Sequence, residues 1–322
     1  MISEALDMTE RMIDGRRVAI FLLIAFGFTW TVDLVIWRTA GQTIALGATT
    51  LPLATVLLVL SMFGPALAHL LTRALTGEGW QGMWLRPRLN EGWRYGLLLW
   101  LLTPLLIGVG AALYFALFPH HLDPSLSTLQ QQLVALGIDD ALPAGTSLQA
   151  VLAIQLVQGI LLAPVLNAIP ILGEEFGWRA YLQPKLLPLG ERRMYLVMGL
   201  IWGLWHAPII ALGHNFGTDY AGHPWVGMLV MIWFCFIVGT FLGWATLRAE
   251  SVWPAVIGHG MINGVGGAAI FAADPAANPL LGPAVAGLIG SVAFAVVALL
   301  IIARTAPSSA PIPRPHAEEA MA

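Results

Sequence analysis

Apolar residues run along this chain in long blocks, not in the alternating stripes of a soluble fold. Windows of about 20 apolar residues, enough to cross the hydrocarbon core of a bilayer as a helix, recur near 17–37, 48–74, 93–118, 147–172, 194–213, 225–247, 252–273 and 281–303. They predict about eight transmembrane helices and an all-α, polytopic membrane bundle. The first window follows the basic stretch "RMIDGRR", as a signal peptide would. Its apolar part is too long for one, and no small-residue cleavage site follows closely, so it reads as a retained anchor.

The cations between the windows set an orientation. Arg11, Arg16 and Arg17 precede the first window, and Arg73, Arg86, Arg88 and Arg94 follow the second. Arg179, Lys185, Arg192 and Arg193 follow the fourth, Arg248 the sixth, and Arg304 and Arg314 the eighth. Only Arg38 falls in an alternate loop, so 14 of the 15 Lys and Arg lie on one side. By the positive-inside rule this predicts both termini in the cytoplasm of a cell inner (plasma) membrane. The expected organisation is a cytoplasmic segment over 1–16, a transmembrane domain over 17–304 and a disordered cytoplasmic tail over 305–322, rich in Pro, Ser and Ala. Segment 119–146 has no Lys or Arg and is expected outside, with a short amphipathic helix on the membrane surface.

Composition agrees and narrows the function. Apolar residues make up 58% of the chain and charged ones 10%, with a mean hydropathy of +0.78; soluble domains carry about 25% charged residues. A net charge of −3 gives no case for nucleic-acid binding. The single cysteine, Cys235, excludes an intrachain disulfide.

Polar residues inside such windows are the informative ones, because a charge near the bilayer centre costs about 2.5–3.5 kcal/mol. Three clusters stand out. In "ILGEEFGWRAYL", Glu175 and Arg179 are four apart and share a helix face, which suits an ion pair, while Glu174 is rotated about 100° away. In "GLIWGLWHAPII", Trp202 and His206 are four apart, so one ring can pack on the other. In "PAVIGHGMINGVGG", His259 and Asn263 share a face, and Gly258, Gly260, Gly264, Gly266 and Gly267 permit close helix packing or close approach of a substrate backbone. Taken singly, each has a structural explanation: a surface ion pair, an interface histidine between belt tryptophans, an interhelical clamp. Taken together, three spans deliver two carboxylates, an arginine, two histidines and an asparagine. A hydrolase needs that set, a base for water and donors for a developing oxyanion, and one shared hydrated cavity is the economical arrangement.

Glu-Glu-x-x-x-Arg, aromatic-x-x-x-His and His-x-x-x-Asn, in that order on successive spans, resemble the CPBP family of intramembrane proteases, also called the CAAX protease and bacteriocin-processing or Abi family, with its Rce1-like members. The resemblance covers roughly residues 150–275; Trp202 stands where the family often has Phe. It implies a peptidase with its site inside the membrane, opening toward the cytoplasm and acting on a lipidated or membrane-associated peptide among membrane lipids. Carried over by position, Glu174 activates water with help from His206, His259 and Asn263 stabilise the oxyanion, and Glu175, Arg179 and Trp202 support the site. Zinc on Glu174, His206 and His259 is the metal alternative, but there is no His-Glu-x-x-His string, so direct activation of water is favoured over zinc as a cofactor.

Two other classes compete. A non-catalytic scaffold or immunity-type protein would use the same fold to bind a peptide. A proton-coupled transporter would also embed Glu and His, but transporters distribute such groups over matching repeats, and here they crowd into the second half. Outside the three clusters, His69 reads as a buried polar clamp, Asp33 as reaching the outer interface, and His214 and His223 as belonging to an outside loop; none is assigned to the site.

Overall fold

The computed structural model describes residues 13–46, 49–138, 142–143 and 145–305. Most of the expected N-terminal segment and nearly all of the expected tail lie outside the described residues. The chain is a helical membrane bundle. Among the described residues, six stretches are long and apolar enough to cross a bilayer: Gly15–Arg38, Leu53–Thr76, Leu89–Leu117, Leu148–Leu166, Trp225–Ala249 and Trp253–Ala272. Leu23, Leu101, Leu161, Val165, Ile169 and Leu299 stand exposed on outer helix faces, which suits lipid and not water.

The first helix, α1 (Gly15–Arg38), leads to a short antiparallel hairpin, β1 (Thr43–Leu46) and β2 (Thr49–Pro52). The expected span from 48 therefore starts in strand and becomes helical only at α2 (Leu53–Ser61). It is also interrupted, and α3 (Gly64–Thr76) continues it. Pro65 has no N–H to give the carbonyl of Ser61, and that carbonyl instead accepts the Thr29 hydroxyl of α1 at 3.0 Å.

Next come α4 (Leu89–Leu117), a short α5 (Ser127–Ala135), α6 (Leu148–Leu166) and α7 (Ala168–Gly177). A π turn (Trp178–Leu182) and α8 (Gln183–Leu186) extend α7. The expected span 194–213 is two helices, α9 (Glu191–Trp205) and α10 (Ala207–Ala211), because Pro208 sits in the first turn of α10. Then follow α11 (Trp225–Ala249), α12 (Trp253–Val265) and α13 (Val292–Arg304). The expected eighth span is helical only from Val292. Residues 282–291 run as irregular chain, with Gly290 so close to Gly110 of α4 that a side chain at Gly110 would overlap its carbonyl. The helices at 191–205 and 292–304 are shorter than a full crossing, so among the described residues the bundle holds six stretches long enough to cross and these two shorter helices.

The core sits around α11, buried along most of its length and packed against α4, α9, α12 and α13. Gly199 and Gly203 of α9 face the backbone at Phe236 and Ile232, where any Cβ would collide. This is small-residue packing of the membrane type, which lets two backbones approach closely.

One end of the bundle carries the cations and is pinned by them. Arg88 pairs with Glu250 at 2.8 Å, joining the start of α4 to the loop after α11. Glu78, just beyond α3, is ion-paired to Lys185 and accepts the Tyr181 hydroxyl at 2.9 Å. Burial pushes the Glu78 carboxyl up, but the hydrogen bonds from Lys185 and Tyr181 outweigh it and hold the group below the ordinary glutamate range. A depressed carboxyl contributes stability that is complete above the unfolded value and is lost as pH falls through the folded one. Melting of the purified protein in detergent should therefore show an acid-side loss of stability that is shallower in Glu78→Gln; identical pH profiles for the two would remove Glu78 as a contributor.

Candidate active site

Glu174 and Glu175 close α7, a helix held tightly against its neighbours. Gly177 lies against the backbone of Pro65, and Gly173 against the Met62 carbonyl, where an added Cβ would stand at 2.8 Å. The Arg73 Nε donates to His69 Nε2 at 2.7 Å, which leaves the proton of that ring on Nδ1. His69 Nδ1 donates it to the carbonyl of Phe176 at 2.9 Å, so the clamp expected of His69 grips the residue after the glutamate pair. The π turn begins at Trp178; such bulges concentrate at functional sites.

Arg179 lies in that turn and is fully buried, as is Glu175. Their side chains form the expected ion pair, Nε to Oε2 at 3.4 Å. The guanidinium also lies over the Trp202 ring, 4.8 Å from its centroid, a cation–π contact that strengthens with desolvation. The other Glu175 oxygen accepts from His259 Nδ1 at 2.8 Å. Glu174 shares none of these bonds. Its Oε2 accepts from Trp202 Nε1 at 3.1 Å.

The end of α9 orients His206. At the break before Pro208 the His206 amide turns to the Gly203 carbonyl at 3.2 Å, and the Trp202 carbonyl takes His206 Nδ1 at 2.8 Å. A carbonyl only accepts, so Nδ1 carries the proton and Nε2 keeps its lone pair. The Trp202 ring lies between the histidines, 5.8 Å from His206 and 5.3 Å from His259 by centroids.

Glu174, Trp202, His206, His259 and Asn263 all line one cavity of about 430 Å³, within the roughly 300–1,000 Å³ of ligand pockets. Glu175 and Arg179 stand behind it. The glycines of α12 divide by role. Gly258, Gly260 and Gly264 face Leu99 and Leu242, Pro164, and Ala163, which is helix packing, while Gly266 and Gly267 line the cavity.

Two features depart from the sequence reading. The lining runs through Asp33, His214, Asn215, Ile270 and Ala284–Ala286 toward the cation-poor end of the bundle, and includes none of the loops at the cation-rich end. Asp33 and His214, left out of the site on sequence, are in its wall. Asp33 does not reach the interface; it is 1% exposed. Its signal was present, a carboxylate inside an apolar window, but only packing shows which way it faces.

Among the described residues no three His, Cys, Asp or Glu side chains converge as a metal-binding group; the Nδ1 bonds of His206 and His259 leave Nε2 of each ring free.

No curated protein matches the chain in a sequence search. Residues 152–265 match the family model described as type II CAAX prenyl endopeptidase, Rce1-like. The matched segment runs from α6 to the end of α12 and contains both glutamates, Arg179, Trp202, His206, His259 and Asn263. That match agrees, over residues 152–265, with the resemblance to the CPBP family and its Rce1-like members that the three motifs carry.

Proposed function

We propose that the chain is an intramembrane endopeptidase that hydrolyses a lipidated or membrane-associated peptide with water activated by Glu174 and His206. The observation that carries this reading is the convergence of Glu174, His206, His259 and Asn263, from three separate segments, on one cavity within an apolar bundle.

The geometry supports a division of labour. Glu174 takes a proton from a water held between it and the free Nε2 of His206, and the oxygen attacks the scissile carbonyl carbon. The carbonyl π electrons move to oxygen, and His259 and the Asn263 amide donate to the resulting oxyanion. Collapse of the tetrahedral intermediate breaks the C–N bond, and the proton on Glu174 passes to the leaving amine. A His259 ring that donates from both nitrogens is a cation, and Glu175 at 2.8 Å supplies its counter-charge. Arg179 offsets the second carboxylate and rests on Trp202, which in turn donates to Glu174. A positioned general base contributes about 10²–10⁴-fold and preorganised donors a comparable share. No step runs through a metal.

With the cation-rich end in the cytoplasm, the cavity faces the opposite side, and a substrate segment reaches it from there or from the bilayer.

Two measurements test the reading. In Glu174→Gln, cleavage of hydrophobic peptides, prenylated and unmodified, by the purified protein should fall at least about 100-fold, with its elution on gel filtration unchanged and the parent's cleavage insensitive to a zinc chelator. Retained cleavage in the variant ends the assignment of the base, and loss to the chelator restores the metal. For orientation, single cysteines replace Asp219 or Gln81 in a Cys235→Ser background. An impermeant maleimide added to intact spheroplasts should label the first and spare the second; the reverse pattern inverts the topology.

A further inference from the structure

Asp33 sits in the outer half of α1, one turn after Thr29, in a span otherwise nearly all apolar. It is 1% exposed, and neither carboxylate oxygen has a hydrogen-bond partner among the described residues. Buried polar atoms without partners are rare and call for an explanation. Asp33 lines the same cavity as Glu174 and His206. Three polar groups of that part of the wall are spent elsewhere. The Thr29 hydroxyl donates to the Ser61 carbonyl at 3.0 Å, His206 Nδ1 to the Trp202 carbonyl at 2.8 Å, and Asn215 Nδ2 to Met231 Sδ at 3.8 Å. Trp30, beside Thr29, donates from Nε1 to the Trp205 carbonyl at 3.1 Å, which fixes this part of α1 against the end of α9 that presents His206. Asp33 therefore has a fixed place in the wall and, among the described residues, no partner.

Water in the cavity could satisfy the two oxygens, but an ionised carboxylate there also needs a counter-charge. A cation from a ligand does both. The neighbouring wall, with Trp205, Ile209, Met231 and Phe234, is suited to the aliphatic stem that carries an ammonium or guanidinium group. We infer that Asp33 is a specificity-determining subsite that takes a cationic group of the peptide substrate, a Lys or Arg side chain or a free amino terminus. The inference rests on the peptidase reading of the cavity and adds a charge preference to it.

The test separates the two. The full chain carrying Glu174→Gln, which blocks turnover, is titrated with short leucine-rich dansyl peptides, followed by energy transfer from the cavity tryptophans. The peptides have one Lys, norleucine in its place, or a free against an acetylated amino terminus. At least one cationic form should bind about tenfold or more tightly than its neutral counterpart, and which pair differs identifies the source of the cation. Asp33→Asn should erase that difference and leave the neutral affinity unchanged, and Asp33→Glu should restore it. Equal affinities for charged and neutral peptides, no binding of either, or a preference that survives Asp33→Asn would overturn the inference; the first needs only the chain with Asp33 in place, so it holds even if the variant folds poorly. Glutamate-dependent cleavage by the parent together with equal affinities leaves the peptidase standing without this subsite. Charge-selective binding without any cleavage leaves the subsite standing without the peptidase.

Discussion

An arginine and a glutamate with no exposure to solvent, inside a bundle made to face lipid, set the terms for the rest of this molecule. Breaking a buried pair by removing one partner costs about 3–5 kcal/mol, so Glu175 and Arg179 have to be built in together and supported from all sides. The support comes from three elements. The π turn carries Arg179, α9 brings the Trp202 face beneath the guanidinium, and α12 brings His259 to the second Glu175 oxygen. Satisfying that pair draws α7, α9 and α12 to one point. Glu174, on the same turn of α7 but on a different face, is thereby left at the cavity wall with only the Trp202 indole as its partner.

The same constraint explains where the helices break. Irregular backbone at membrane depth is tolerated only where protein covers it or it lines a cavity. The interruption before Pro65 frees the Ser61 carbonyl for Thr29 of α1. The interruption before Pro208 turns His206 onto the Trp202 carbonyl. The irregular chain before α13 supplies Ala284–Ala286 to the wall. Each break that shortens an apparent span contributes polar backbone or a residue to the cavity, so two helices too short to cross alone belong to a bundle with six stretches long enough to cross among the described residues.

Much of this was legible in the chain. Apolar blocks fix the all-α membrane class because lipid leaves the backbone no other way to satisfy its own hydrogen bonds. The four-residue spacings of Glu175 with Arg179, Trp202 with His206 and His259 with Asn263 follow from helix geometry, and the structure retains the Glu175–Arg179 pair and the ring contact of Trp202 with His206. The breaks at Met62 and His206 were not legible as such, since hydropathy averages over a Pro without registering the carbonyl it releases. Strand β2 (Thr49–Pro52) was absorbed into an apolar window because hydropathy does not separate strand from helix.

Local periodicity and charge bias are properties of sequence neighbours, and from them the chain by itself determined its class, the number of apolar blocks and which residues share a helix face. Contacts between α1 and α9, or α7 and α12, join residues separated by roughly 80 to 175 positions, and no periodicity encodes them. Tertiary packing alone decided that His259 serves Glu175 through one nitrogen, that Asp33 turns into the cavity and not to the interface, and that the cavity runs toward the cation-poor end. The physical reason is that a buried polar group is defined by the partners it meets, and those partners come from elsewhere in the chain.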